Sequence, residues 1–406
     1  MSYDNVIIFG AGVSCDAGIP LLDNFVDTMW NFSVRGISPN GPIPMKDREL
    51  LQQANEILIG LERYNSRANF KLKNLEDVLS LLSFEALAGG DSRTKYQTWV
   101  KAITTTIELS SIHPYRTEFN LAKDVRNTNY HIFWDTILGT HHHQRPPALI
   151  TFNYDLVFER ALWDYFHCLV DDDFAKPAKH SCGIHYFLKP YDFTIKLQQA
   201  FHVLPIPGSR PAVNTRHNGF TPSFEYNTKA EVNIPYLKLH GSLNWCSGTP
   251  PRQEDLGCAN QIPTLLPTQA AETPLLLPPV FNKMNSGDVI PVWARALEIL
   301  REAKHIILVG YSLPRTDIYM QYFLKSAVGP NSSLQKIIVF DPALFSNDVR
   351  NEEMRKRYRE CFSPQFQEQI TFEPRVEPMF PEADRGKFSH FLQTLQNNAK
   401  ELLFTP

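Results

Sequence analysis

Short apolar runs alternate with longer amphipathic segments along most of the chain. Each run is only a few residues long and ends in a turn, which is typical of strands buried in a parallel sheet. Six runs predict strands: Asn5–Phe9, Ala148–Phe152, Tyr236–Leu239, His305–Val309, Lys336–Phe340 and, at a sheet edge, Gln369–Glu373.

Apolar side chains at helical spacing predict helices between these strands. In the clearest case, Leu75–Leu87, Asn74 precedes the helix as its N-cap. Further helices are predicted at Lys95–Leu109, Tyr130–Leu138, Leu156–Phe166, Val289–Lys304, Asp317–Val328, Asn347–Cys361 and Ala383–Leu403. Strand–helix alternation favours an α/β fold, a Rossmann-like doubly wound parallel sheet with helices on both faces.

The elements divide the chain unevenly. We expect a discontinuous Rossmann-like core formed by residues 1–46 and 147–406, with a large helical insertion at 47–146. Residues 171–235 are rich in Pro, Gly, Asn, His and aromatic side chains, and they predict a loop-rich insertion with at most small β elements.

Composition narrows the class of protein. Of 406 residues, 43% are hydrophobic, and 27 Phe and 15 Tyr supply enough apolar surface for a large core, which excludes disorder over most of the chain. The net charge of −3 argues against direct nucleic-acid binding, because strong sequence-independent binding usually requires a basic domain. The first residues have no basic n-region and no cleavage site, and no apolar run reaches about 18 residues, so we expect a cytoplasmic protein without a signal peptide or a membrane span.

The cysteines exclude one common metal site. The six are far apart and include no CxxC pair, so a zinc ribbon and a bound metal are not expected. Reduced thiols are the simpler expectation. A run of histidines, His141–His143, lies in a predicted loop without the spacing of a helical zinc site.

Every candidate motif follows a predicted strand. The motifs are Gly10-Ala11-Gly12-Val13-Ser14, Thr151-Phe152-Asn153-Tyr154-Asp155, His240-Gly241-Ser242, Gly310-Tyr311-Ser312 and Asp341-Pro342. Ligands of parallel α/β sheets bind outside the carboxyl ends of the strands. We therefore expect these motifs to form one site.

Each motif alone also has a structural interpretation. The glycines fit a tight turn between strand and helix, Asn153 and Asp155 fit an N-cap pair, and His240 fits a hydrogen-bonded structural histidine. The basic run Arg355–Arg359 is interspersed with glutamates and is typical of a solvated helix face.

Taken together and in order, the motifs resemble those of the sirtuin superfamily. The opening GAGxSxxxGIP is matched by Gly10, Ala11, Gly12, Ser14, Gly18, Ile19 and Pro20. The family's TQNxD element is similar to Thr151–Asp155, its catalytic His-Gly pair to His240-Gly241, its Gly-x-Ser loop to Gly310 and Ser312, and its adenosine strand to Val339–Asp341.

The departures from that family indicate a particular branch. Deacetylating sirtuins carry a zinc ribbon that is missing here, and their Asp-Phe-Arg segment is replaced by a stretch around Asp23. The FNYD variant, the LEDVLS helix and the missing ribbon resemble the sirtuin-like NAD hydrolases of bacterial anti-phage defence. That branch depletes cellular NAD on infection, and short members work with a partner such as a HerA-type DNA-translocating ATPase. A homo-oligomer with low basal activity is expected.

The resemblance also implies roles for individual residues. It assigns three residues to catalysis: Asn153 to the ribose or the attacking water, His240 to proton removal, and Asp155 to orienting the loop or the nicotinamide end. It assigns NAD binding to Gly10, Ala11, Gly12, Ser14, Asp23, Thr151, Gly310, Ser312 and Asp341. Three alternatives remain open: a sirtuin-type deacylase or ADP-ribosyltransferase, a non-catalytic NAD or ADP-ribose sensor, and a nuclease subunit beside a DNA motor.

Overall fold

A computed structural model describes most of the chain. The described residues are 3–62, 71–111, 128–139, 146–166, 181–187, 192–205, 214–226, 228–246, 270–271, 274–277, 289–315, 317–347, 349–372 and 380–403. For 197–205, 214–222, 246 and 398–403 the description covers the backbone alone.

A nine-stranded sheet forms the centre of the fold. In spatial order its strands are β13 (Ile370–Thr371), β12 (Lys336–Phe340), β11 (His305–Val309), β1 (Asn5–Phe9), β4 (Ala148–Thr151), β8 (Val232–Lys238), β5 (Ser181–His185), β6 (Phe193–Pro205) and β7 (Asn214–Tyr226). The seven from β13 to β5 are parallel, and β6 and β7 form an antiparallel hairpin at one edge. The predicted α/β fold is confirmed.

The strand order reverses beside β1. From β1 the chain adds β4 and β8 on one side of the sheet, and then returns to add β11, β12 and β13 on the other. The reversal between β1 and β11 is the topological switch point, where open α/β sheets bind their ligands.

The central strands also end level with one another. Phe9 pairs with both Val309 and Thr151, Val309 pairs with Phe340, and Thr151 pairs with Lys238. The segments that follow these five strands therefore leave the sheet at one edge.

Eleven helices lie within the described residues. They are α1 (Ala11–Ser14), α2 (Leu22–Arg35), α3 (Met45–Glu62), α4 (Leu75–Glu85), α5 (Asp91–Ser110), α6 (Asn129–Gly139), α7 (Val157–Phe166), α8 (Ile290–Glu302), α9 (Ile318–Val328), α10 (Val349–Cys361) and α11 (Phe388–Leu403). Among these described helices, none combines the length and the hydrophobicity that a membrane span requires.

Helices cover both faces of the sheet, which is why its strands are continuous apolar runs. All five residues of β1 are buried. The Phe9 ring lies against Phe158 of α7 at 4.7 Å, Phe133 of α6 at 5.6 Å and Phe388 of α11 at 6.0 Å, measured between ring centroids. α9 packs between α8 and α10 in a second group of helices.

The helices α2 to α5 pack on one another as a separate bundle. Asn74 caps α4 as predicted, because its side-chain oxygen accepts from the backbone N–H groups of Glu76 and Asp77. The bundle includes α2, which precedes the expected insertion at 47–146. The last helix of that insertion, α6, packs instead with α7 and α11 on the core.

The segment 171–235 holds more regular structure than its composition predicts. It contributes β5 to the parallel part of the sheet, and β6 and β7 pair over 13 positions from Phe193–Tyr226 to Pro205–Asn214. The remaining strands form two short antiparallel pairs: β2 (Ile37–Ser38) with β3 (Gly41–Pro42), and β9 (Gly241–Cys246) with β10 (Pro274–Leu276).

Candidate functional site

The turn after β1 packs directly on the turn after β11. The Gly10 N–H donates to the Val309 carbonyl at 2.9 Å, and the Gly12 N–H donates to the Gly310 carbonyl at 3.0 Å. A Cβ at Gly10 would lie 2.4 Å from the Gly310 oxygen, and Gly310 itself has φ of +63°. Glycine is therefore required here for the close approach of two backbones.

This packing limits what the glycine turn offers to a ligand. The N–H groups of Gly10, Gly12 and Val13 all donate to backbone carbonyls. Ala11 is exposed at the start of α1, which spans four residues. The turn leads the chain to the switch point. The polar side chain that it supplies there is Ser14, the last residue of α1.

Ser14, Asn153 and Asp155 form one hydrogen-bonded cluster. The Ser14 hydroxyl donates to Oδ2 of Asp155 at 2.6 Å. The Asn153 amide nitrogen donates to Oγ of Ser14 at 2.8 Å and to the Gly10 carbonyl at 2.9 Å. Ser14 and Asp155 are buried. The motif after β1 and the motif after β4 are thus joined by three polar side chains.

The backbone around this cluster is fixed from both sides. Thr151 is buried and its Oγ1 accepts from the Asn153 N–H at 3.1 Å. Oδ1 of Asp155 accepts from the Val157 N–H at 3.1 Å, where α7 begins. Asp155 therefore caps the helix with one oxygen and holds Ser14 with the other.

His240 follows β8 at the same edge and is 6% exposed. Its ring centroid lies 5.0 Å from Phe152, 6.2 Å from Tyr154 and 6.5 Å from Trp293. Its carbonyl accepts from the Leu277 N–H at 2.8 Å. An imidazole held between aromatic rings has few orientations.

Gly241 is required by the strand pair that follows His240. Its φ is +87°, and a Cβ there would lie 2.0 Å from the Leu275 carbonyl oxygen of β10. The His-Gly pair therefore has a structural reason for its glycine, the close approach of β9 to β10.

A stacked aromatic pair connects the ends of β4 and β11. The rings of Phe152 and Tyr311 lie 4.7 Å apart at 27°. The Tyr311 hydroxyl donates to Oδ2 of Asp317 at 2.7 Å, and Tyr358 of α10 donates to the Tyr311 carbonyl. Burial raises the pKa of the Tyr311 phenol, so it remains a donor at neutral pH.

The expected adenosine-side residues lie farther along the same edge. Ser312 is exposed, and its carbonyl accepts from Nε of Arg357 at 3.2 Å. Asp341 is buried at the end of β12, where Oδ1 accepts from the Ala343 N–H at 2.9 Å. Burial raises the pKa of Asp341, against the opposing effects of that hydrogen bond and of Arg357.

Asp23 is placed differently. It is exposed in the first turn of α2, within the bundle. Of the hydrogen bonds described for the chain, none joins it to Asn153, Asp155 or His240. In the basic run of α10, Lys356 and Arg359 are exposed, whereas Arg357 reaches the Ser312 carbonyl.

The helical bundle lies close to the site. Desolvation raises the pKa of Tyr154, and the charge of Glu76 on α4 and the phenol of Tyr96 on α5 raise it further. The Glu76 charge also acts on Tyr311. The Tyr154 hydroxyl donates to the Leu277 carbonyl at 2.7 Å.

The described residues contain no group of three His, Cys, Asp or Glu side chains that could hold a metal ion. His141–His143 lie outside the described residues, as do Cys168 and Cys258. Cys15, Cys182 and Cys361 are free thiols.

Two site residues were missed in the sequence, Lys238 and Glu159. Both are fully buried and form an ion pair behind the Asn153–Asp155 segment. The signal was a lysine inside the apolar run Tyr236–Leu239. A charge there is rare in a buried strand unless a partner meets it.

Comparison with known proteins adds no relative. No protein-family model matches the chain, and no curated protein matches it.

The geometry itself combines a rigid amide, a buried carboxylate, a serine and an imidazole with aromatic walls, at the switch point of a parallel sheet. Such a set can orient a hydroxyl or a water and accept its proton.

Proposed function

We propose that this protein is an NAD glycohydrolase, which cleaves the bond between nicotinamide and ribose to give ADP-ribose and nicotinamide. The observation that carries the proposal is the cluster of Ser14, Asn153 and Asp155 at the switch point, with His240 on the next strand end. Its residues are those that the sirtuin resemblance assigns to this chemistry.

The chemistry requires little beyond orientation and a base. Nicotinamide departs from an anomeric carbon as a neutral molecule, so its departure requires no general acid. The carbon it leaves has oxocarbenium character, as in other glycosyl hydrolysis. A site that grips the ribose and directs a water to that carbon supplies most of the catalysis.

Asn153 is oriented for this role. A primary amide has two N–H donors, and those of Asn153 are used by Gly10 and Ser14. The remaining polar atom, Oδ1, can accept from a ribose hydroxyl or from the attacking water. Ser14 and Asp155 then act by holding the amide in that orientation.

His240 is the proposed base. Neutral imidazole takes up a proton near neutral pH, and a base within hydrogen-bond reach contributes about 10²–10⁴-fold to the rate. The proton would come from the ribose hydroxyl or from the water. The aromatic rings of Phe152 and Tyr154 beside His240 offer apolar surface for the nicotinamide end.

The remainder of NAD would extend along the strand edge. Rossmann-like folds hold a pyrophosphate at the turn after the first strand, so we assign the turn at Gly10–Ser14 to that group and Asp341, after β12, to the adenosine side. Because the N–H groups of Gly10 and Gly12 are already used, we assign these glycines to the close packing that shapes the cleft.

The biological setting follows from the resemblance. We propose NAD depletion in anti-phage defence by a cytoplasmic homo-oligomer of low basal activity, raised by infection or by a partner such as a HerA-type DNA-translocating ATPase. Such restraint is expected because unrestrained NAD loss would kill the host. We propose that the bundle transmits this restraint, because α5 packs against β10, the strand paired with the one that follows His240.

One experiment separates this proposal from its alternatives. The purified protein is incubated with NAD alone and with a HerA-type partner, and products are followed by chromatography. Free ADP-ribose and nicotinamide without an acceptor support hydrolysis. Further incubations add an acylated peptide or a protein acceptor, and turnover only in their presence indicates a deacylase or a transferase. Binding of NAD without turnover, both with and without the HerA-type partner, indicates a sensor. Cleavage of added DNA would indicate a nuclease.

A further inference from the structure

A buried ion pair lies directly behind the proposed catalytic loop. Lys238, the last residue of β8, and Glu159 of α7 have no exposed side-chain surface, and Nζ of Lys238 lies 2.9 Å from Oε1 of Glu159. Two carbonyls of the β4 loop also accept from Nζ, those of Tyr154 and Asp155. An ammonium group has three donors, and all three have acceptors here.

The contacts of Lys238 determine the path of the loop that carries Asn153. They fix the peptide groups of Tyr154 and Asp155, the two residues that follow it. The Tyr154 carbonyl also accepts from the Leu243 N–H of β9 at 3.0 Å. Lys238 itself lies two positions before His240. The ammonium group thus connects the two strand ends that carry the proposed catalytic side chains.

Glu159 extends this connection to the far side of His240. Its Oε1 also accepts from the Tyr186 hydroxyl at 3.1 Å. The Asn244 amide donates to that hydroxyl at 3.3 Å, and the Ser242 hydroxyl donates to the Asn244 oxygen at 2.6 Å. Ser242 is two residues after His240, so the buried network approaches the histidine from both sides along the chain.

Stabilisation of the folded state does not by itself explain why this ion pair is buried. Desolvation of both charges offsets most of their attraction, and well-packed apolar residues usually stabilise as much. Burial raises the pKa of Glu159, while Lys238 opposes that effect, so the carboxylate depends on its partner to stay charged. Two of the three Lys238 donors reach carbonyls of the loop that carries Asn153, so the pair is better explained by the position of that loop.

The charge balance also fits the proposed reaction. Positive charge develops on the anomeric carbon as nicotinamide leaves, and an unpaired buried ammonium nearby would oppose it. Glu159 neutralises Lys238, so the loop is held without a net positive charge behind it.

We propose that Lys238 and Glu159 are positioning residues, which hold the Asn153–Asp155 loop at the distance from His240 that NAD hydrolysis requires. This inference rests on the proposed function for its catalytic consequence. Its structural content, that the pair orders the loop, can be tested separately.

The test uses the full chain with Lys238→Met/Glu159→Gln, which removes both charges while keeping side-chain size and the Tyr186 partner. The matched control is Arg160→Met/Glu108→Gln. It removes the ion pair between Arg160, which is next to Glu159 on α7, and Glu108 of α5, whose Nη2 and Oε2 atoms lie 2.8 Å apart. Thermal melts establish that both variants are folded at the assay temperature.

The first readout is steady-state NAD hydrolysis. We expect kcat of the Lys238/Glu159 variant to fall roughly 10–100-fold with KM within about threefold of the parent, because misplacing catalytic groups by about 1 Å costs up to about 100-fold. The control variant should keep its kcat. A folded Lys238/Glu159 variant with the parent's kcat would overturn the inference and leave the proposed function intact.

The second readout does not depend on turnover. Hydrogen exchange of the Val157 and Leu243 amides, which donate to Asp155 Oδ1 and the Tyr154 carbonyl, reports on the order of the loop. Exchange at Leu243 should be at least about 10-fold faster in the Lys238/Glu159 variant and unchanged in the control. If the parent protein hydrolyses no NAD, the proposed function fails, and this exchange alone decides the inference: unchanged protection rejects it.

Discussion

The hydroxyl of Ser14 lies 2.6 Å from Oδ2 of Asp155, and 141 positions separate the two residues in sequence. The bond forms because β1 and β4 are adjacent parallel strands that end level, with Phe9 paired to Thr151. Asn153 donates to the same serine oxygen at 2.8 Å. Ser14 is therefore the connection between the turn after β1 and the loop after β4.

Replacing Ser14 with alanine should destabilise the protein as well as slow it. The buried Asp155 oxygen would lose its donor, which costs about 1–3 kcal/mol of unfolding free energy. Urea unfolding of the parent, Ser14→Ala, Asp155→Asn and the double variant gives the coupling energy. Additive effects of the two substitutions would show that the bond contributes nothing.

Asn153→Ala should reduce NAD turnover by at least about 100-fold, because the amide that orients the water or ribose hydroxyl is lost. Asn331→Ala is the matched control. Its amide nitrogen also donates to backbone carbonyls, those of Leu300 and Ala303 at 2.8 Å, but just before the amino end of β11 and not at the carboxyl ends of the strands. We expect the two variants to lose a similar amount of stability. Turnover should be normal in Asn331→Ala and lost in Asn153→Ala. Full turnover in a folded Asn153→Ala protein would remove Asn153 from the mechanism.

His240→Gln should abolish the acid limb of the pH–rate profile. A histidine base works only in its neutral form, so turnover of the parent should fall as pH drops and the ring takes up a proton. The variant should be slow at every pH and show no such limb. An unchanged limb in the variant would assign the titration to another group.

Asp341→Asn should stabilise the protein at neutral pH. Burial raises the folded-state pKa of Asp341 above its unfolded value, so the ionised form is disfavoured in the folded state. Its contribution to stability is present below the unfolded pKa of about 3.9 and is lost as pH rises through the folded pKa. Asparagine keeps the oxygen that accepts from Ala343 and carries no charge.

Chemical unfolding of the parent and of Asp341→Asn from pH 3 to pH 8 measures this effect. The variant's advantage should be absent at the acidic end and full at neutral pH. An advantage that shrinks as pH rises would contradict the sign. A weaker apparent affinity for NAD in the variant would support the adenosine-side role.

Gly310→Ala should be strongly destabilising, whereas Gly60→Ala should stabilise. At Gly310 φ is +63° and a Cβ would lie 2.7 Å from the Val13 nitrogen. Gly60 lies within α3, and a Cβ there meets nothing within 4 Å, so alanine gains about 0.5–1 kcal/mol of helix stability. Thermal melts of the two variants compare them directly. A neutral Gly310→Ala would show that the turns do not pack as closely as described.

The strands of the core could be predicted because burial on both faces leaves a local signature. Asn5–Phe9, His305–Val309 and Lys336–Phe340 are apolar throughout their length or nearly so, and the structure has the same bounds. The cap at Asn74 was equally local, since a side chain satisfies N–H groups two and three residues ahead. Composition misled over 171–235, because polar and aromatic residues in a sheet-edge hairpin resemble those of a loop.

The parallel α/β fold and the place of every candidate motif directly after a strand could be predicted from local patterns, because apolar period and turn residues act over a few positions. Which side chains meet depends on the tertiary fold. Strand order and register bring Ser14 to Asp155, and burial brings Lys238 to Glu159, across separations of 141 and 79 residues. The tertiary fold also brings the backbones of Gly10 and Gly310 into direct contact, which is why both are glycine. Contacts at such separations depend on which strands are neighbours, and no local pattern encodes that.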